Sequence, residues 1–295
     1  MKIAVFDESR VGLVIDNHIH DVTRVVPGAG HGDGPDDYVN RMIADWANLR
    51  PKLIDESERA APIPLESALL DASNPAPRQI VAAPTNYRKH MVEMGDLAVT
   101  PKGKTAAEQG VFLKAPSSIT GSTRGIELPR GSTRRFDHES ELAVVIGREA
   151  RNVGRAQAMD HVFGYTCLID VTMRIDGTRS EERSMRKSFD TFTPIGPWIV
   201  TADEIADPHQ LKIELFVNGE KRQSASTSEM IVGIAELIEI ASSVMTLWPG
   251  DILATGTPEG IGPLAAGDIV AVEIEGIGAL RLAVRTSDQQ PPWLF

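Results

Sequence analysis

Two glutamates two residues apart, Glu139 and Glu141, run directly into the apolar stretch 142–146, which Gly147 closes. On a strand, residues i and i+2 face the same side, so the two backbone roots lie roughly 6–7 Å apart and the carboxylates repel each other. At the mouth of a buried strand this is costly unless a cation lies between them. Hard cations such as Mg²⁺, Mn²⁺ or Ca²⁺ take carboxylate oxygen. Two solvated glutamates at an exposed strand start are the alternative, and spacing alone does not decide. Asp170 offers a third ligand: it ends the apolar run 165–169, where an acid again needs a partner. His138 is left out of the set, because it points to the opposite face from Glu139 once the strand has begun.

A second constellation lies in 86–93, NYRKHMVE. His90 and Glu93 are three apart and meet on one helical turn. A glutamate beside an imidazole raises its basicity and fixes its orientation, as a water-activating base requires; an incidental surface ion pair is the alternative. Lys187, in RKSFDTFTPIGPW, reads either as a cleft lysine that stabilises an anion or as a surface lysine. In Thr255-Gly256-Thr257-Pro258, a backbone N–H and a hydroxyl are available to an oxyanion or a carboxylate, unless the segment is a plain turn.

The elements that must position these groups follow from periodicity. Runs 2–6, 11–15 and 18–22 read as a small antiparallel meander. Helical spacing covers 35–58, and 60–77 reads as a proline-rich linker with an extended piece, so a boundary falls near residue 75. Next come a short buried strand at 79–83, a mobile polar loop at 94–110 and the strand 142–146, covered on both faces. The runs 212–217 and 220–223 flank Asn218-Gly219, a hairpin signal for a I′ turn. The spacing predicts a helix over 230–247 with Ser228 as its cap. LWPGDILA (247–254) is echoed by LAAGDIVA (264–271), each a Gly-Asp turn leading into a strand.

Composition excludes several classes. The chain has 295 residues, enough for about two domains. It is 42% hydrophobic and 24% charged, so it can bury a core. A net charge of −11 disfavours nucleic-acid and anionic-membrane partners. The start MKIAVFDESR lacks the apolar stretch of an export signal, and no run reaches the ~20 apolar residues of a membrane span, so a cytoplasmic location is expected. The one cysteine, Cys167, cannot form an internal disulfide. The dinucleotide fingerprint fails at Asp33 after Gly28 and Gly30, GSTRG (121–125) has threonine at the nucleophile position, and no GKS or GKT loop exists.

In this order, NYRKHMVEM (86–94), VFLKAPSSITGS (111–122), HESELAVVIGREARNV (138–153), GYTCLIDVTMR (164–174), KSFDTFTPIGPWIV (187–200), VNGEKRQ (217–223) and LWPGDILATGTPEGIG (247–262) resemble the fumarylacetoacetate hydrolase family, over roughly 79–284. The resemblance implies an α+β fold, with a mixed β-roll catalytic core (76–295) and a small N-terminal α/β domain (1–75). It implies Mg²⁺ or Mn²⁺ held by Glu139, Glu141 and Asp170, a His90–Glu93 pair on a lid helix, and Lys187 as the active-site lysine. Lys114, Arg174, Gly256 and Thr257 fall where relatives line the substrate site. A homodimer acting on a small 2-oxo acid is the family expectation. Three departures stand out: Ile169 where relatives usually have asparagine, Arg174-Ile175-Asp176-Gly177 where they often have Arg-Asp-x-Gln, and AAPTNY before the His-Glu pair.

Residues and resemblance together imply hydrolysis of a C–C bond in a 2-oxo acid or 1,3-dicarbonyl compound of the acylpyruvate or fumarylacetoacetate type, in aromatic-compound catabolism. The substrate chelates the ion, His90 activates water against the distal carbonyl, and Lys187 holds charge or delivers a proton. Decarboxylation or isomerisation of a hydroxymuconate-type diacid uses the same ion without the water. A non-catalytic binding protein on this scaffold is the third reading.

Overall fold

The computed structural model describes residues 1–30, 37–95, 104–175 and 182–292. Among these residues the chain forms a mixed α+β fold with three sheets. The largest runs in the order Pro62–Pro64, His18–Asp21, Arg10–Ile15, Lys2–Phe6, Thr193–Thr201, Val162–Ile169, Ser140–Ile146, Ile252–Ala254, Ile80–Ala82, Phe112–Lys114. Lys2–Phe6 pairs antiparallel with Thr193–Thr201, so the N-terminal meander continues the central sheet.

Ser140–Ile146 is buried at every position. Its alternate side chains enter two different cores. Leu142, Val144 and Ile146 join one face, where Ile213, Leu215, Val270, Val272 and the helix residues Ile234, Leu237, Ile238 and Ala241 pack. Ala143 and Val145 join the other, with Tyr38, Val39, Met42, Leu49 and Leu53. A sheet sealed on both faces needs this unbroken apolar run, because a polar side chain on either side would lose its water.

A five-stranded sheet, ordered Glu220–Ser226, Lys212–Val217, Ile269–Ile274, Gly278–Thr286, Ile126–Leu128, covers the first face. Its hairpin turns at Asn218 (φ 54) and Gly219 (φ 82), both positive as a I′ turn requires. The two Gly-Asp turns use the same device: Asp251 accepts the Trp248 N–H at 2.8 Å, and Asp268 accepts the Ala265 N–H at 2.7 Å.

Three elements differ from the sequence expectation. The helix expected over 35–58 is two, Tyr38–Ala44 and Trp46–Arg59. Asp45 separates them at φ −102 and ψ 24, and its side chain accepts from Asn48 Nδ2 at 2.6 Å; aspartate favours caps because it competes for local backbone and side-chain donors. The helix expected over 230–247 spans Ile234–Val244 and starts after Gly233, not Ser228. Ser228 belongs to a separate 3₁₀ turn, Thr227–Glu229, closed by a capping box between Ser226 and Glu229. The region 94–110 contains a helix, Ala106–Gln109, while 96–103 lies outside the described residues, as does 176–181 with its departure at Gly177. No helix among the described residues is long and apolar enough to cross a membrane.

Candidate active site

The third sheet is small, ordered Thr172–Met173, Phe136–His138, Gly262–Pro263. Phe136–His138 and Ser140–Ile146 are consecutive in the chain but lie in different sheets, and Glu139 is the residue at the crossing. Val162–Ile169 and Thr172–Met173 make the same transition, with Asp170 near the crossing. The Asp170 N–H donates to the Glu139 carbonyl at 2.8 Å, which sets the two crossings side by side. Glu141 follows one strand step on, opposite Leu168.

Glu139, Glu141 and Asp170 each bring a carboxylate oxygen within 4.8 Å of the others, and all three are buried. The alternative of two solvated glutamates therefore does not describe this strand. With metal–oxygen distances of about 2.1–2.4 Å, two ligands of one ion lie at most about twice that apart, so the three oxygens fit a common hard dication.

Basic groups and N–H donors surround the acids. Lys187 Nζ donates to Glu139 Oε2 at 2.8 Å, Asp170 Oδ2 at 2.6 Å and Thr172 Oγ1 at 2.6 Å. This is a buried lysine, not a surface one. Lys114 Nζ contacts Asp170 Oδ1 and donates to the Phe192 carbonyl at 2.9 Å. Its side chain is fully buried and holds Asp170. Arg174 reaches Glu139 Oε1 at 2.6 Å and Asp137 Oδ2 at 2.7 Å. The Gly256 N–H donates to Glu141 Oε2 at 2.7 Å. A carboxylate thus takes the N–H that the Gly-Thr pair offers.

The charges respond accordingly. Burial raises the Glu139 carboxyl, but Lys187 and Arg174 outweigh it and hold it well below its ordinary value. Burial, then repulsion from Asp170, pushes Glu141 well above its ordinary value. Glu141 is thus the acid with the largest unmet demand for positive charge, as expected of a ligand to a dication. Burial lowers Lys114 despite the attraction of Asp170.

His90 lies on the short helix Arg88–Met94 and is buried. Its Nδ1 meets Glu93 Oε2 at 3.1 Å, and Glu93 Oε1 accepts the Gly260 N–H at 2.9 Å. Asn86 anchors the helix start. Its amide donates to the Val232 and Thr255 carbonyls, both at 2.8 Å, and accepts the Val232 N–H at 2.8 Å. Gly256, at φ +94, passes so close that a Cβ there would lie 2.6 Å from the Asn86 Cβ. Only glycine allows this approach.

A cavity opens over the three acids and is also lined by His90, Met94, Phe112, Arg174, Lys187 and Thr257. Four further residues escaped the sequence reading. Asp137 pairs with Arg174 and, at 2.6 Å, with Arg135. Gln223 ties Thr257 Oγ1 (2.9 Å) to the Ser140 N–H (3.0 Å) and is the one buried position on Glu220–Ser226. Arg183 and Arg186 line the cavity beside Lys187, and the cluster of basic residues in RSMRK could have drawn attention to them.

The comparisons with known proteins agree with this geometry. The family described as Fumarylacetoacetate (FAA) hydrolase C-terminal matches residues 79–285. A protein of Aquipseudomonas alcaligenes named maleylpyruvate hydrolase is 43% identical over 296 residues, covering 97% of this chain and 100% of its own length. A crystal structure of maleylpyruvate hydrolase from Sphingobium sp. SYK-6, in complex with manganese(II) ion and pyruvate, has a TM-score of 0.85 at 39% identity and covers 98% of this chain and 100% of that one. A 4-hydroxyphenylacetate degradation bifunctional isomerase/decarboxylase of Salmonella dublin is 43% identical over 196 residues, 66% of this chain and 44% of its own. The chain belongs to the fumarylacetoacetate hydrolase family.

Proposed function

We propose that this chain is a divalent-metal-dependent hydrolase that cleaves a C–C bond in a 2-oxo acid or 1,3-dicarbonyl compound of acylpyruvate type, in aromatic-compound catabolism. The observation that carries the reading is the meeting of three buried carboxylates at a cavity that a Glu-bound histidine also lines. The names of the Aquipseudomonas and Sphingobium relatives, and the manganese and pyruvate of the latter, support it.

Glu139, Glu141 and Asp170 hold Mg²⁺ or Mn²⁺; the same oxygens suit Ca²⁺. When bound, the ion supplies Lewis-acid polarisation of the 2-oxo acid oxygens. Lys114 and Gly256 keep Asp170 and Glu141 aimed and act on substrate through them. Arg174 and Thr257 border the substrate directly. With its Nδ1–H donated to Glu93, His90 keeps Nε2 free to take a proton from water. That water attacks the carbonyl carbon distal to the 2-oxo acid, and the bond from that carbon to its neighbour on the 2-oxo side breaks. The electron pair stays with the departing 2-oxo acid, where Lys187 neutralises charge or delivers the proton.

This reading includes a mixed β-roll core over 76–295 that carries every site residue, a small N-terminal α/β unit over 1–75, and a cytoplasmic homodimer without nucleic-acid or membrane partners. Purified protein with Mn²⁺ or Mg²⁺ is expected to release pyruvate from acetylpyruvate or maleylpyruvate, and chelator to stop it. No turnover of any acylpyruvate overturns the assignment. The second reading, isomerisation or decarboxylation of a hydroxymuconate-type diacid, is favoured by the name of the Salmonella relative. Turnover of such a diacid that survives His90→Ala, with no acylpyruvate hydrolysis, selects it.

A further inference from the structure

Gln223 lies on Glu220–Ser226, the edge strand of the five-stranded sheet, and is 1% exposed. A primary amide that deep is costly unless its oxygen and its N–H groups are matched. Here they are. Oε1 accepts the Ser140 N–H at 3.0 Å and faces His138 Nδ1 at 3.3 Å. Nε2 donates to the Pro258 carbonyl at 2.8 Å and to Thr257 Oγ1 at 2.9 Å, with the Glu259 carbonyl farther off at 3.4 Å. This amide cannot turn over. A flip would set its NH₂ against the Ser140 N–H and its oxygen against the Pro258 carbonyl, leaving buried like groups face to face.

The consequence falls on Thr257. A hydroxyl has one proton to give, and an amide NH₂ accepts none, so Thr257 Oγ1 is the acceptor in its bond with Gln223. The other contact of this hydroxyl among the described residues is the Pro258 carbonyl at 3.4 Å, beyond the about 2.5–3.0 Å of an O–H···O bond. That carbonyl already receives Gln223. Thr257 lines the cavity over the three acids, so the acceptor left for its proton is an oxygen of whatever fills the cavity.

The backbone at Thr257 has other anchors. Thr255 donates to the Leu142 carbonyl through its N–H at 3.1 Å and its Oγ1 at 2.8 Å, and the Gly256 N–H donates to Glu141. On the far side, the Gly260 N–H donates to Glu93 Oε1 at 2.9 Å. The segment is pinned before and after Thr257, and what Gln223 alone fixes is the sense of the hydroxyl.

We propose that Gln223 is a positioning residue that makes the Thr257 hydroxyl an obligate donor toward an oxygen of the metal-bound 2-oxo acid. The inference rests on the acylpyruvate reading for what occupies the cavity.

The test reads binding, so its failure is distinguishable from failure of the hydrolase reading, which pyruvate release from acetylpyruvate checks separately. Oxalate carries the adjacent oxygens of a 2-oxo acid and has no acyl arm to cleave. Mn²⁺-loaded wild type, Thr257→Val, Gln223→Met and the double variant are titrated with it calorimetrically. Thr257→Val is expected to weaken oxalate about tenfold and Gln223→Met about fivefold. The double variant is expected to match Thr257→Val within about twofold, because one residue acts through the other. Mn²⁺ affinity is expected to stay within about threefold throughout. The proposal is overturned if wild type binds no oxalate, if either single variant binds it like wild type, or if the two losses multiply. A parallel fall in Mn²⁺ affinity overturns it too, since that marks a merely structural role. Should Gln223→Met not fold, Gln223→Glu takes its place, since a carboxylate draws the Thr257 proton and reverses the hydroxyl. An equal loss from Gln223→Glu with and without Thr257→Val then overturns the proposal, and a loss confined to the background that keeps the hydroxyl supports it.

Discussion

The backbone N–H of Asp170 donates to the carbonyl of Glu139 at 2.8 Å, locking together two acids from neighbouring strands where each strand passes from one sheet to another. Glu139 and Asp170 are further clamped by one ammonium, that of Lys187. Among the described residues, the Glu141 carboxylate has only the Gly256 N–H as a hydrogen-bond partner.

Glu141→Gln removes the carboxylate whose charge is least compensated. We expect Mn²⁺ affinity, measured by calorimetry, to fall about 100-fold or more, since even outer-shell losses cost about 10–100-fold. Turnover falls with it. A fully active variant that carries no metal refutes the ligand assignment.

His90→Ala leaves the three acids untouched. Metal affinity should stay within about threefold of wild type, while acylpyruvate hydrolysis drops about 10²–10⁴-fold, the usual contribution of a general base. Glu93→Gln should give a smaller loss of the same kind. Hydrolysis that persists without the imidazole requires another base.

Lys114→Met breaks a fully buried pair with Asp170. Removing one partner of such a pair costs about 3–5 kcal/mol, to be read by urea unfolding of the metal-free protein. Lys114→Met/Asp170→Asn should recover much of the loss. A single variant as stable as wild type shows that the pair contributes nothing.

The pH dependence of the metal-free protein carries the signature of Glu141. Its folded value is raised by burial and by Asp170, so its contribution to stability is complete below the ordinary carboxylate range. That contribution is lost as pH rises through the raised value. Glu139 acts oppositely: its folded value is lowered, so its contribution is present above the ordinary range and lost as pH falls through the lowered one. Mn²⁺ takes the ionised Glu141 carboxylate, so below its raised value calorimetry in buffers of different ionisation heat should detect proton release on binding. Glu141→Gln should remove both the high-pH loss and the release.

The acids were legible because strand periodicity alone puts Glu139 and Glu141 on one side, and because Asp170 follows an apolar run that leaves it no water. His90 and Glu93 were legible from helical spacing. What periodicity does not carry is the change of sheet at Glu139, since the residues on both sides of it are extended and buried. Gln223 was hidden because its partners are thirty or more residues away on other elements. Arg183 lies in a four-residue helix, too short to show an amphipathic pattern. The helix begins at Ile234, later than its spacing suggests, because Ser226 and Glu229 form a cap that closes a separate turn.

Asn86 joins the chain leading to His90, the Thr255 carbonyl beside Gly256, and the Val232 backbone in one knot. Base and ligand holder therefore share a single mooring and cannot drift independently.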